Sequence, residues 1–391
     1  MEQTQTDDTD ICDDVTIRSI LRLSQVKQAS WDAVCNSAGQ EFDPFLSWNF
    51  LQALEESGCA IEETGWGPRH LVAEDKSGRL VGVLPLYIKS HSQGEYVFDH
   101  AWADAFDRAG GDYFPKLLTA IPFTPVTGRR ICAPSPAVKI ALIEGALQLA
   151  KQWNLSSWHI NFPDKETWEI LHQQNLLQRM DRQFVWTNQD YKTYDDFLAD
   201  LSSRKRKALK KERREAQNGV EIQHLSGKDL RPEHWDVFFQ CYHQTGSRKW
   251  GRPYLNRAFF ELIHQRMADQ VLMVMAKSEG RYIAAALNFI GSHALYGRYW
   301  GQLENRPHLH FELCYHQAID AAISRGLDRV EAGAQGEHKL ARGYRPVPVY
   351  SAHWLAHEGL RSAVSEYLDQ ERKAIRHDIT LLEDESPFKS V

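Results

Sequence analysis

The chain has 391 residues, 42% of them hydrophobic and 25% charged, with 46 Lys+Arg against 52 Asp+Glu for a net charge of −6. That balance excludes a wholly disordered chain, and the length predicts two domains, each able to bury a core without metal or disulfide staples. No apolar run approaches the roughly 20 residues of a membrane span, and the six scattered cysteines form no CxxC pair, which fits a reduced, cytoplasmic setting better than a disulfide framework or a zinc site.

In chain order, residues 1–14 are acidic and polar, lack the apolar core of a secretory signal, and read as a disordered tail. Ser47 to Gly58 has its apolar residues Phe50, Leu51 and Leu54 at helical spacing. From His70, two apolar runs flank a Ser77-Gly78 turn as a hairpin, and Gly94 to His100 reads as a third strand. An aromatic-rich insertion of about residues 99–130 follows, then an amphipathic helix from Ala137 to Trp153 and a strand from Ser156.

The second half repeats the order: a helix from Arg257, a hairpin from Val271 turning at Ser278-Glu279-Gly280, a third strand from His293, a helix from His310 stopped by Gly326, and a strand from Asp328. The hairpin turns even share text, Lys76-Ser77-Gly78-Arg79 against Lys277-Ser278-Glu279-Gly280-Arg281. Order, spacing and turn chemistry together favour a duplicated α/β unit over two unrelated domains. The expected boundaries are 15–195 and 196–380, with 381–391 a C-terminal tail.

Between the units, Arg204 to Glu215 carries eight basic and two acidic residues, about +6 on a chain that otherwise sums to −12. The thin stripe of Leu201, Ala208, Leu209, Glu212 and Ala216 makes this a helix with one buried edge, ended by Gly219. Arg204, Arg206 and Lys207 are either a solvated face or a phosphate-binding one, on a nucleotide or RNA.

Thr245 to Tyr254, with Gly246, Gly251 and Pro253, reads as a loop that sets Arg248 and Lys249 beside Trp250, suited to a ligand with an apolar face and a negative group. Tyr299, Trp300 and Glu304 leave the third strand of the second unit, and His310 opens the next helix. His308, His310 and Glu312 lack a second ligand set, so no metal is assigned.

The 17 His and 12 Trp suggest a polar, aromatic-lined groove rather than bulk core. The densest motif runs from Glu331 to Tyr344. It leaves a strand where open α/β sheets bind ligands, with small residues that allow close backbone approach. Glu331, Glu337 and His338 are candidate general bases towards an amine, with Glu337 or His338 preferred. Gln335 flanks the ligand, and Lys339 and Arg342 hold an anion. GxSxG, Walker A and a strand-placed GxGxxG are absent, which argues against triad hydrolysis and the usual nucleotide loops.

These stretches, with Phe42–Gly58, Pro85–Phe106, Pro122–Arg130, Ser203–Arg214, Arg248–Leu255 and Arg298–Gly301, resemble the FemAB-like family of peptidoglycan biosynthesis or recognition proteins, within the GNAT (acyl-CoA N-acyltransferase) superfamily. The resemblance implies tandem duplicated GNAT-like domains of mixed α/β class. It also implies transfer of an acyl or aminoacyl group to an amine, on a peptidoglycan precursor or related small molecule. In Fem-type enzymes the donor is aminoacyl-tRNA, and the basic helix opens the second domain as a similar stretch does there. The Q/R-x-x-G-x-G/A loop of a typical GNAT has no match before either central helix, where the chain reads GRRICAPSPA and GQLENRPHLH. Acyl-CoA and aminoacyl-tRNA remain the two candidate donors. The rival reading is a non-catalytic module of the same fold that binds a cell-wall fragment, nucleotide sugar or RNA.

Overall fold

The computed structural model describes residues 15–249, 253–333 and 336–389, the side chains of 246–249 excepted. The tail expected over 1–14 lies outside the described residues. Among the described residues the strands of the first half are β1 (Thr16–Ile20), β2 (Trp66–Pro68), β3 (His70–Glu74), β4 (Leu80–Leu84), β5 (Tyr87–Lys89), β6 (Lys116–Thr119), β7 (Ser157–Asn161) and β8 (Leu177–Thr187). Those of the second half are β9 (Glu221–Leu225), β10 (Val271–Ser278), β11 (Arg281–Ile290), β12 (Ala294–Gln302), β13 (Arg329–Glu331) and β14 (Arg345–Leu355).

Local chemistry accounts for the main elements. The helix Pro136–Gln152 begins with Ser135 accepting from the Val138 amide and with Pro136 in its first turn, where a missing N–H costs nothing. It buries Val138, Leu142, Ile143, Ala146 and Ala150 along one face. Each fully buried leucine or isoleucine contributes about 1.5–3 kcal/mol. Between β10 and β11, Glu279 and Gly280 both have positive φ, which matches the twist of a two-residue hairpin. Between β3 and β4, Asp75 accepts from the Ser77 and Arg79 amides and so closes the turn.

β1, β3 and β4 form a small sheet, and the remaining strands form one continuous sheet in the order β2-β5-β6-β7-β14-β8-β13-β12-β11-β10-β9. Two pairs in it are parallel, β6 with β7 and β12 with β13. A parallel pair needs a crossover, which the Pro136–Gln152 helix supplies in the first unit. In the second, the run Leu309–Arg325, with a π-helical turn at Glu312–His316, does the same. The units then exchange their last strands. β7 pairs with β14 (Ser351↔Asn161, His353↔His159), β13 pairs with β8 (Glu331↔Val185), and β8 pairs with β14 in the middle. The order β6-β7-β14-β8-β13-β12 is thus symmetric about the β14–β8 pair. The units also share a core, in which Phe45 and Phe50 meet Phe289 and Phe259 at 5.3 and 5.7 Å.

Some expectations need correction. Gly94–Asp99 is a loop, because its aromatic residues Tyr96 and Phe98 face a cavity instead of a sheet neighbour, and His100 opens a helix. The third strand of the first unit is β6, inside the expected insertion, which also holds a helix at His100–Arg108. The loop expected from Thr245 is helical as far as Lys249, continuing the helix Pro232–Lys249. Gly301 of β12 receives that helix so closely that a Cβ there would overlap the Cys241 carbonyl. The tryptophans are largely core: Trp31, Trp66, Trp158, Trp186 and Trp235 are fully buried. At the C-terminus, Glu358–Asp384 is one long helix that continues past residue 380, and Phe388 bridges back to Leu201.

Candidate functional site

A cavity of about 950 Å³ opens where the two units meet, over the exchanged strands β8 and β14. The first unit supplies the loop of Ser92, Gln93, Gly94, Tyr96 and Phe98, together with Phe162. The central strands supply Asp181, Arg182, Phe184 and Val349. The second unit supplies Tyr254, Arg298, Gly336 and Glu337. The size and the mixture of aromatic walls with a few charges are those of a small-molecule site. Tyr254 stacks on Phe123 at 4.9 Å, and Arg298 donates to the Phe123 carbonyl at 2.7 Å, so these walls are fixed across the unit boundary. Arg182 pairs with Asp378 at 2.9 Å and with Glu337 at 3.5 Å, which sets the Glu337 carboxylate at the rim.

A buried charge cluster lies behind the loop. Lys116 on β6 donates to Asp99 at 2.5 Å and to Glu95 and Ser92 at 2.8 Å each, so one ammonium pins the loop at three points. Lys89 sits 3.9 Å from Glu95 and 3.7 Å above the Trp66 ring. Burial, with the nearby Asp99 charge, pushes Glu95 up to about 7 against the pull of both lysines. Burial likewise brings Lys89 down to about 7. Burial works against the Asp99 charge too, but Lys116 and His159 outweigh it and hold that carboxyl well below the usual range. Tyr113 donates to Asp99 at 2.8 Å and meets His159 at 3.1 Å. His159 meets His353 Nδ1 to Nδ1 at 2.6 Å, and His353 meets Ser351 at 2.9 Å.

The basic helix Ser203–Ala216 docks on the second unit through Leu209, Ala216, Glu212 and Arg213. Glu212 takes both ends of the Arg342 guanidinium, at 2.9 and 2.6 Å, and His316 at 2.8 Å. Burial alone raises its pKa, yet these partners bring it down to about 2. Arg342 also lies 3.5 Å above the Phe311 ring. Arg213 reaches the buried Glu312 and Asp320. On the outer side, Arg204 and Lys207 are exposed and Arg206 is half-buried.

Of the residues singled out in the sequence, Glu337 lines the cavity. His338 turns away, meeting Tyr315 Oη at 2.9 Å, and Lys339 is buried, donating to the Gly333 carbonyl at 2.6 Å, with burial bringing it down to about 8. Arg342 belongs to the Glu212 cluster. Glu331 is buried beside Arg329 at 2.9 Å, with its pKa raised by burial. Tyr299 donates to the Phe123 carbonyl at 3.3 Å behind the cavity wall. Trp300 and His310 stack at 4.9 Å, and Glu304 pairs with Arg306 at 2.6 Å. Trp250 and Gln335, and the side chains of Arg248 and Lys249, lie outside the described residues.

The sequence reading did not reach Tyr96, Asp181, Arg182, Tyr254 and Arg298 on the walls, nor Lys89, Glu95, Asp99, Lys116, His159 and His353 beneath them. A signal was present. Lys89 and Lys116 sit in short, largely apolar strands, and His159 and His353 lie in strands beside apolar neighbours, where an unpaired charge or imidazole is costly and calls for a partner.

Comparison with known proteins bears on this architecture. The model of the FemAB-like family, described as peptidoglycan biosynthesis/recognition, matches residues 22–390. A search of curated proteins finds no match. Among solved structures, FemX is similar over 87% of this chain and 98% of its own, at 12% identity and a TM-score of 0.54. A conserved protein of unknown function from Bacteroides thetaiotaomicron VPI-5482 covers 86% of this chain and 99% of its own, at 10% identity and a TM-score of 0.51. A tandem GNAT protein from the clavulanic acid biosynthesis pathway covers 88% and 99%, at 10% identity and a TM-score of 0.48. The chain shares the fold of FemX, and its mixed α/β sheet joins two similar units.

Proposed function

The chain belongs to the FemAB-like family, and from that premise we propose that it is an N-acyltransferase that joins an acyl or aminoacyl group to an amine in the cavity between its units. The single observation that supports this most is the cavity itself, of about 950 Å³, walled by both units over their exchanged strands. A transferase must hold two substrates in one geometry, and a site built from two fixed bodies does so. The family description points to a peptidoglycan precursor or related metabolite as the acceptor.

The attacking amine must be neutral when it meets the acyl carbon. Glu337, at the rim and steadied by Arg182, is the group in the cavity placed to take its proton. Tyr96, Phe98 and Tyr254 offer flat apolar faces for orientation and for excluding water. Arg204, Arg206 and Lys207 would hold the phosphates of a tRNA-borne donor. A cytoplasmic location fits either donor.

The test is product formation, read by mass spectrometry with an amine-bearing precursor and each donor class. Glu337→Gln should lower kcat about 100-fold with the fold intact. Full turnover in that variant would remove Glu337 from the role.

A further inference from the structure

The buried imidazoles behind the cavity have a definite polarity. Tyr113 has one hydroxyl proton and donates it to the Asp99 carboxylate at 2.8 Å. Its contact with His159 Nε2 at 3.1 Å is therefore one in which the phenol oxygen accepts, and His159 carries its proton on Nε2. His159 Nδ1 is then bare and accepts from His353 Nδ1–H at 2.6 Å. His353 Nε2 is bare in turn and accepts from the Ser351 hydroxyl at 2.9 Å. Both rings are neutral. Burial holds His159 down to about 3 and His353 well below its usual range, with Lys116 from β6 and Arg179 from β8 adding to the effect on each. Every donor in the series points inward, towards Asp99.

The outer end of this series is in the site. Ser351 lines a recess of about 30 Å³ that shares Tyr96, Phe98, Phe162, Asp181 and Val349 with the main cavity. That is room for a water or the head of an amine. At the inner end Lys116 bridges Asp99 to Glu95, and the second carboxylate oxygen of Glu95 has no hydrogen-bond partner among the described residues.

We propose that Ser351, His353, His159, Tyr113 and Asp99 form a proton relay that carries the proton shed by the substrate amine from the recess to the Lys116–Glu95 pair. The inference rests on the transfer reading above, and it makes Glu337 the rim base and this series the inner proton path. The hops balance. Glu337 takes the proton that makes the amine neutral, and the second proton, shed by the nitrogen after attack, goes to Ser351 Oγ, whose own proton goes to His353 Nε2. His353 passes its Nδ1 proton to His159, which passes its Nε2 proton to the Tyr113 oxygen. Tyr113 gives its proton to Asp99, and Lys116 takes that proton while giving one to Glu95. Glu337 and Glu95 end protonated and nothing is oxidised. A carboxyl near 7 is matched to receiving a proton at neutral pH.

Two readouts test it on the full chain. In ¹⁵N-histidine NMR, assigned with His159→Gln and His353→Gln, His159 should be Nε2-protonated and His353 Nδ1-protonated, both neutral from pH 5 to 8. The same tautomer in both rings, or an imidazolium at pH 7, would overturn the relay whatever the enzyme does. In the transfer assay, Ser351→Ala and Tyr113→Phe, each of which removes one oxygen and keeps the packing, should lower kcat about 100-fold with KM unchanged. Full kcat in both, with the wild type active, would overturn the relay and leave the transferase standing. No turnover by the wild type with either donor class would overturn the transferase reading and the relay's substrate with it.

Discussion

At the scale of single residues, the molecule spends buried charge in two places, and the two behave differently with pH. Behind the cavity, Glu95 and Lys89 are both drawn towards about 7 by burial. At the basic helix, Glu212 is drawn the other way, from 4.5 to about 2, because Arg342 and His316 favour its charge more than burial opposes it. A carboxyl with a depressed folded-state pKa contributes stability that is present above about pH 4.5 and is lost as pH falls towards 2. Glu212→Gln leaves the Arg342 guanidinium, 6% exposed, without its carboxylate. It should cost about 3 kcal/mol at pH 7, the low end for breaking a buried pair. The gap should close as pH drops from 4.5 to 2, when the wild-type carboxylate itself takes up a proton. Urea unfolding across that range checks this, and a constant gap would contradict it. The sequence set Glu212 on the buried edge of the helix but could not foretell its partner, which lies 130 positions away.

At the scale of elements, β10 to β13 of the second unit were legible, while β9 and β14 were not. Its hairpin, meander and crossover carry full-length apolar patterns and a positive-φ turn, which are local signals. The first unit was less legible because its strands are short. β5 and β6 span three and four residues, while the Tyr96–Phe98 alternation imitates a strand and instead lines the cavity. The basic helix was placed correctly, with Leu209 and Ala216 on its inner edge. Its outer edge supports a prediction. Changing Arg204, Arg206 and Lys207 to Gln spares every residue that docks the helix. If the donor is tRNA, the slope of log affinity against log salt should fall by on the order of 2–3, close to one unit for each phosphate that the helix no longer neutralises. An unchanged slope would assign those cations to solvent.

At the scale of the whole molecule, the exchange of β8 and β14 decides the rest. It sets His353 opposite His159, and Arg182 and Val349 on neighbouring strands over one cavity. Local pattern cannot say which copy of a strand pairs with which, so neither the stitched sheet nor the cavity above it was readable from the repeat. The duplication was, and the exchange explains why two similar units make one site.

The account's central claim is that substrate binds in this cavity. The measurement that tests it most directly is a thermal-shift comparison of the wild type with Gln93→Trp, an exposed wall position where an indole fills space without touching a core. The panel would hold acyl-CoAs, aminoacyl-tRNA and peptidoglycan precursors. A ligand at 100 times its Kd that binds only the native state stabilises it by about 2.7 kcal/mol. The account predicts that shift in the wild type, with its loss in Gln93→Trp. Equal shifts in both proteins would place the site elsewhere and contradict it.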